Sequence, residues 1–290
     1  MAAATSVGEG TLAAAATPVD LLTLLDVGAL ASGPEDVPEV LLFLHGWGGS
    51  KELWWNTLAR LAGTHRSIAL DLPGTGATPL PPGPWTMPDM ARWVARTCDR
   101  LGLKGVTLIG HSLGGNLAAQ VALDFPVLAR RLVLVDAALD PAALPARARW
   151  PLHGRLGLPA LRLMRLASLP MAAAGRRAPH DRTLGFWRAY ARRMHWYAQA
   201  NRDDRALQSQ LRALTDNPLP PARLSVLRLP LLILHGARDA IVPVAGARAL
   251  ALALPEAALV VFPTAYHCPM DTDPDGFAQS LRDFCNRPLP

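Results

Sequence analysis

Three side chains far apart along the chain have the types needed to turn a hydroxyl into a nucleophile: Ser112 in "GHSLGG", Asp239 in "HGARDAIVP" and His267 in "FPTAYHCPMDTDP". A serine hydroxyl is a weak nucleophile at neutral pH. It needs an imidazole to take its proton and a carboxylate to hold that imidazole in the right tautomer. The chain order serine, aspartate, histidine, with G-x-S-x-G around the serine, is one arrangement that meets this need. Each residue also has a plainer reading. Ser112 could cap a helix, Asp239 could shape a turn ahead of Pro243, and His267 could be a buried, hydrogen-bonded histidine. Asp136, in "LVLVDAA", competes with Asp239 for the acid role.

Attack by Ser112 on an acyl carbon would leave a negative oxygen, which backbone N–H groups must receive. Leu113, next after the nucleophile, and Trp47, in "HGWGG", are expected to supply them. Gly46, Gly48 and Gly49 would let the Trp47 loop come close. The Trp47 ring is a candidate substrate contact, with plain packing the equal alternative. His45, His111 and His235 stand in turns or beside the nucleophile and are read first as structural, with His111 kept as a candidate substrate contact.

Elements of a definite kind are needed to gather these residues. "VLLFL" (Val40 to Leu44) is a short apolar run ended by His45 and glycines, as expected of a strand buried on both faces. Further strands are expected at Ser67 to Leu70, in "GVTLIG", in "RRLVLVDAA" up to Asp136, in "LPLLILHG" and in "AALVVFP". Helical patterns lie between them: Lys51 to Ala62, Pro88 to Leu101, Leu113 to Phe125, Ala245 to Leu254 and, last, Gly276 to Asn286. Such alternation calls for a parallel sheet covered by helices on both faces, with ligands bound at the carboxyl ends of the strands. His45, Asp71, Ser112, Asp136, Asp239 and His267 all fall at or just past such ends.

The stretch 138–228 breaks the alternation with helical, Trp-containing patterns and no convincing strand. It carries 16 Arg against 5 acidic residues, a surplus of +11, while the rest of the chain sums to −5. It reads as a helical lid over the active edge. Trp187 and Trp196 are candidate substrate contacts there, beside the apolar Leu163, Met164, Phe186 and Tyr197, although packing is the commoner fate of such residues. The basic surface reads either as solvated helix faces or as a docking site for an acidic partner.

Half of the 290 residues are apolar, enough for a sizeable core. No apolar run reaches the roughly 18 residues of a membrane span. Residues 1–18 lack the basic residues of a secretory signal and read as a poorly ordered leader, leaving 19–137 and 229–290 as the core. Cys98, Cys268 and Cys285 show no metal spacing and no even set, which points to reduced thiols in the cytoplasm. The net charge of +6 comes with no nucleic-acid motif.

Together "HGWGG", "DLPGTGAT", "GHSLGG", "GARDAIVP" and "AYHCPMDTDP" resemble the matching loops of the α/β-hydrolase superfamily, over Val40 to about Asn286 outside the insertion. The resemblance implies an α/β-hydrolase fold, Ser112 as nucleophile, Asp239 as acid, His267 as base, and Leu113 and Trp47 as oxyanion hole, with no metal or organic cofactor. A serine at the elbow is unlike haloalkane dehalogenases and epoxide hydrolases, and favours an ester-type acyl enzyme. "HGWG" and "FPTAYHCPM" look most like small carboxylesterases of the pimeloyl-carrier-protein methyl ester esterase type, which implies a small ester substrate and an acidic carrier protein met by the basic lid. Proline iminopeptidases share the scaffold but usually show a Gly-Gly-Pro-Gly loop that is missing here. Thioester, lactone, peptide and C–C bond hydrolysis, and a binding protein that keeps the fold without catalysis, stand as alternatives.

Overall fold

Along β3 (Val40–Leu44), Leu41 and Phe43 pack into one apolar layer while Leu42 and Leu44 pack into another. The same alternation recurs in β5 (Val106–His111), β6 (Ala129–Val135) and β7 (Leu231–Gly236): Leu108, Leu132, Leu134 and Ile233 face one layer, Ile109, Val133, Val135 and Leu234 the other. Residues of a strand point alternately to the two faces, so a strand apolar at every position must be covered twice. A computed structural model describes residues 19–21, 27–37, 39–83, 85–144, Leu166, Pro170 and 204–289. The expected leader and most of the expected lid, with Leu163, Met164, Phe186, Trp187, Trp196 and Tyr197, lie outside the described residues.

With β1 (Val19–Leu21), β2 (Ala29–Ser32), β4 (Arg66–Leu70) and β8 (Ala258–Phe262), the strands form one eight-stranded sheet in the order β1-β2-β4-β3-β5-β6-β7-β8. The six strands read from the sequence are all present and mutually parallel. β1 and β2 add an antiparallel edge that the pattern did not reveal. The reason is chemical: β2 reads Ala-Leu-Ala-Ser, and small residues carry little strand propensity.

Helices α2 (Met87–Arg100), α3 (Leu113–Asp124) and α6 (Val244–Ala253) cover one face. The other is covered by α1 (Trp55–Leu61) and α8 (Pro274–Cys285). The helix expected from Lys51 starts as a 3-10 turn over Lys51–Trp54. At α2, the Thr86 hydroxyl accepts the Asp89 N–H while the Asp89 carboxylate accepts the Thr86 N–H, a capping box that sets the helix start.

Within 138–228 the described residues form a 3-10 turn (Pro141–Ala143), α4 (Asp204–Thr215) and α5 (Pro221–Leu224), with no strand among them. Where the chain leaves and re-enters the core it is stitched to itself. Leu219 N–H donates to the Leu139 carbonyl at 2.8 Å. The Asn116 amide donates to the carbonyls of Ala138 and Asn217, and the Asn217 amide donates to Asn116 Oδ1 and Gln120 Oε1. α7 (Pro269–Thr272) follows the His267 loop. No described helix is long and apolar enough to cross a membrane.

Candidate active site

Ser112 sits between β5 and α3 with φ 54° and ψ −115°, one of two non-glycine residues at positive φ among those described. That turn brings backbones so close that its flanking glycines cannot carry a side chain. A Cβ on Gly110 would lie 2.0 Å from the Gly114 oxygen, and one on Gly114 would lie 2.4 Å from the oxygens of Leu44 and His45. Gly114→Ala is therefore expected to cost about 3 kcal/mol and to lower the melting temperature by roughly 6–12 °C, read by thermal unfolding of the two proteins side by side.

Asp239 and His267 come together from the loops after β7 and β8. His267 Nδ1 donates to Asp239 Oδ2 at 2.7 Å, and Asp239 Oδ1 accepts the N–H groups of Ile241 and Val242 at 2.8 and 3.0 Å. Burial pushes the Asp239 carboxyl up, but the His267 hydrogen bond and charge and the two N–H groups outweigh it and hold the acid below its ordinary range. Asp239 is thus an ionised partner that leaves His267 Nε2 free. His267 lies beside the elbow, its ring centroid 4.7 Å from that of His111. Ser112 Oγ and His267 share no hydrogen bond in this resting geometry, a contact that often tightens only once substrate is bound.

His111, a candidate substrate contact from sequence, is 5% exposed and directs Nε2 at the His267 carbonyl, 2.7 Å away. That bond ties the residue before Ser112 to the loop that carries His267, in keeping with the structural role read first for His111. Leu113 is the first residue of α3, so its N–H has no acceptor inside the helix. The Trp47 loop runs against the elbow: a Cβ on Gly46 would fall 2.8 Å from His111 Nδ1 and 3.1 Å from Ser112 Cβ. The loop that carries Trp47 thus passes next to the serine at Gly46.

The Trp47 indole donates to the Leu207 carbonyl of α4 at 2.8 Å and packs against the core, so its ring ties the loop to α4. Sequence patterns miss this link because it joins positions far apart in the chain. Trp47→Phe, which keeps a ring and loses the N–H, is expected to lower kcat about tenfold with a smaller effect on KM, as steady-state kinetics would show, because a slight misplacement of a donor is costly.

The other polar residues at this edge are committed to structure. His45 Nδ1 donates to the Gly46 carbonyl while Nε2 accepts the Leu72 N–H, and burial holds this imidazole below its usual range. Asp71 accepts from the Lys51 N–H, the Lys51 ammonium and the Ala77 N–H at 2.8, 3.1 and 2.9 Å. His235 Nε2 donates to the Val242 carbonyl at 2.9 Å. Asp136, His235 and Asp239 bring three ligand-type atoms within 4.8 Å of one another, a spacing a metal ion could bridge. Here the His235 nitrogen and Asp239 Oδ2 already serve the carbonyl and the imidazole. Cys98, Cys268 and Cys285 are buried and form no disulfide, and burial pushes the thiols of Cys98 and Cys285 up to about 12.

A family model described as the alpha/beta hydrolase fold matches residues 39–274. A protein of Variovorax paradoxus named as a candidate carbamate hydrolase is 34% identical over 263 residues, covering 88% of this chain and 94% of its own. The pimeloyl-[acyl-carrier protein] methyl ester esterase of Aeromonas salmonicida is 30% identical over 272 residues, 90% of this chain and 98% of its own. A shorter match, 40% identical over 98 residues, takes in 34% of this chain and 26% of the dihydrolipoyllysine-residue acetyltransferase component of the acetoin cleaving system of Cupriavidus necator. Among solved structures, the enol-lactonase of Burkholderia xenovorans LB400 superposes with a TM-score of 0.72 at 21% identity, covering 90% of this chain and 96% of that one.

Proposed function

The chain belongs to the alpha/beta hydrolase family, and from that premise we propose that it is a serine hydrolase that cleaves small or medium carboxylic esters through an acyl enzyme. The observation that carries this reading is the 2.7 Å Asp239–His267 pair standing beside a serine held at φ 54°. His267 Nε2 takes the Ser112 proton as Oγ bonds to the acyl carbon, and the N–H groups of Leu113 and Trp47 receive the carbonyl oxygen as it becomes negative. The C–O bond to the alcohol then breaks, the alcohol leaving with the proton from His267. A water molecule, deprotonated by the same imidazole, attacks the acyl enzyme and releases the acid. No step calls for a metal or organic cofactor.

The candidate carbamate hydrolase among the relatives supports a second reading, cleavage of a related acyl bond at the same serine. The methyl ester esterase acts, by its name, on a carrier-borne substrate, which supports an acidic carrier docking at the Arg-rich stretch 138–228. Buried thiols without a disulfide suit a cytoplasmic setting.

The test is a substrate panel on purified protein, p-nitrophenyl esters of graded acyl length beside a carbamate, a lactone, a thioester and an aminoacyl anilide, together with labelling by a fluorophosphonate. The ester reading expects labelling of the wild type, none of Ser112→Ala, and fastest turnover of an ester. Fastest turnover of another acyl bond would support the second reading, and a wild type that neither labels nor turns over any of them would point to a binding protein.

A further inference from the structure

Asp136 is fully buried just past β6 and adopts φ +43°, a left-handed conformation uncommon outside glycine. Its Oδ1 accepts the Gly236 N–H at 2.9 Å. Its Oδ2 is buried with no hydrogen-bonding partner among the described residues. An acceptor-only oxygen in that position would be costly, and one that carries a proton is a donor in search of an acceptor.

The acceptor is close. Asp136, His235 and Asp239 place their polar atoms within 4.8 Å of one another, as do Asp136, His111 and His267. His235 Nε2 stands 3.4 Å from Asp136 Oδ1 and 3.6 Å from Asp239 Oδ2, but its N–H serves the Val242 carbonyl and burial holds this imidazole below its usual range, so it brings no fixed positive charge. The titratable groups facing Asp136 are thus His111, His235, Asp239 and His267. Two carboxylates this close in a dry site do not both ionise. Asp239 has three donors and Asp136 has one, so Asp239 takes the negative charge. Burial first, and then the charge of Asp239, push the Asp136 carboxyl well above its ordinary range.

We propose that Asp136 and Asp239 form one proton-sharing acid unit behind His267, in which Asp136 is a neutral positioning residue that donates to Asp239 and becomes the counter-ion of His267 when Asp239 is neutralised. The mechanistic consequence rests on the serine-hydrolase reading; the proton sharing itself does not.

The experiment is a double-mutant cycle of Asp136→Asn, Asp239→Asn and the double variant, read in two ways. The first follows the titration of the His267 imidazole by NMR, its signal assigned by its loss in His267→Gln, and needs no turnover. The midpoint is expected to stay within about 0.5 pH unit of wild type in either single variant, because one anion always remains, and to fall by about 1 unit or more in the double variant. The second reads kcat/KM. Asp136→Asn is expected to cost up to about tenfold and Asp239→Asn about 10²-fold, and the double variant to approach the roughly 10⁴-fold typical when the only orienting carboxylate is replaced by an amide. A midpoint that falls by a unit in Asp136→Asn alone would overturn the proposal, because Asp136 would then be the charged member. Single-variant effects that add up to the double would overturn it too. An inactive wild type whose midpoints nevertheless follow the expected pattern would remove the catalytic reading and leave the acid unit standing.

Discussion

Ser112→Ala is expected to lower kcat by about 10⁶-fold on the best ester of the panel, while the protein melts within a few degrees of the wild type. The size follows from cooperation. Nucleophile, base and acid act as one unit, so losing the nucleophile removes nearly everything the unit contributes and leaves only what the oxyanion donors and substrate binding supply, about 10³–10⁴ over water. His267→Ala should fall to a similar floor, and combining the two should cost little more than either alone. Pre-steady-state assays with a chromogenic ester would show the acyl-enzyme burst in wild type and its loss in Ser112→Ala. A Ser112→Ala protein that kept its activity would remove the serine from the mechanism, whatever the bond cleaved.

The second large effect concerns stability. Asp71→Ala is expected to destabilise the fold by about 3 kcal/mol or more, because removing one partner of a buried pair strands the other charge. The Lys51 ammonium, whose side chain is 8% exposed, would keep only the Glu52 carboxylate, also 3.1 Å away. The Lys51 and Ala77 N–H groups would lose their acceptor as well. Burial pulls the Lys51 ammonium down while Asp71 and Glu52 together keep it above its ordinary value, and the variant removes the first of these two charges. Asp71→Asn, which still offers an oxygen, should lose less. Urea unfolding of the three proteins reads the difference as shifts in midpoint at constant slope.

The stretches that were legible in the sequence owe this to local chemistry. Gly110, Ser112 and Gly114 announce a strand-to-helix elbow because only glycine tolerates carbonyls at 2.0–2.4 Å from a would-be Cβ. The central strands announce themselves because burial on both faces demands apolar residues at every position. Asp239 and His267 could be placed on one edge because each follows an apolar strand, Asp239 the buried β7 and His267 the half-buried β8 at the rim of the sheet. What stayed hidden depends on partners distant in sequence. The Trp47 indole on Leu207, the Asn116–Asn217 amide pair and the His111 bond to the His267 carbonyl join residues 160, 101 and 156 positions apart, and no local pattern records them. The role of Asp71 was concealed for a related reason. Its place at a strand end suits a site residue as well as a scaffold, and only the Lys51 ammonium beside it decides between them.

The stitch that joins Leu139 to Leu219, backed by Asn116 and Asn217, closes the base of the long excursion between them. Since the entropy of closing a loop grows only with the logarithm of its length, the cost of bringing Leu139 and Leu219 together depends little on how much chain lies between them. The points at which the chain departs from the sheet and comes back to it are in this sense clasped to each other, independently of the length carried between them.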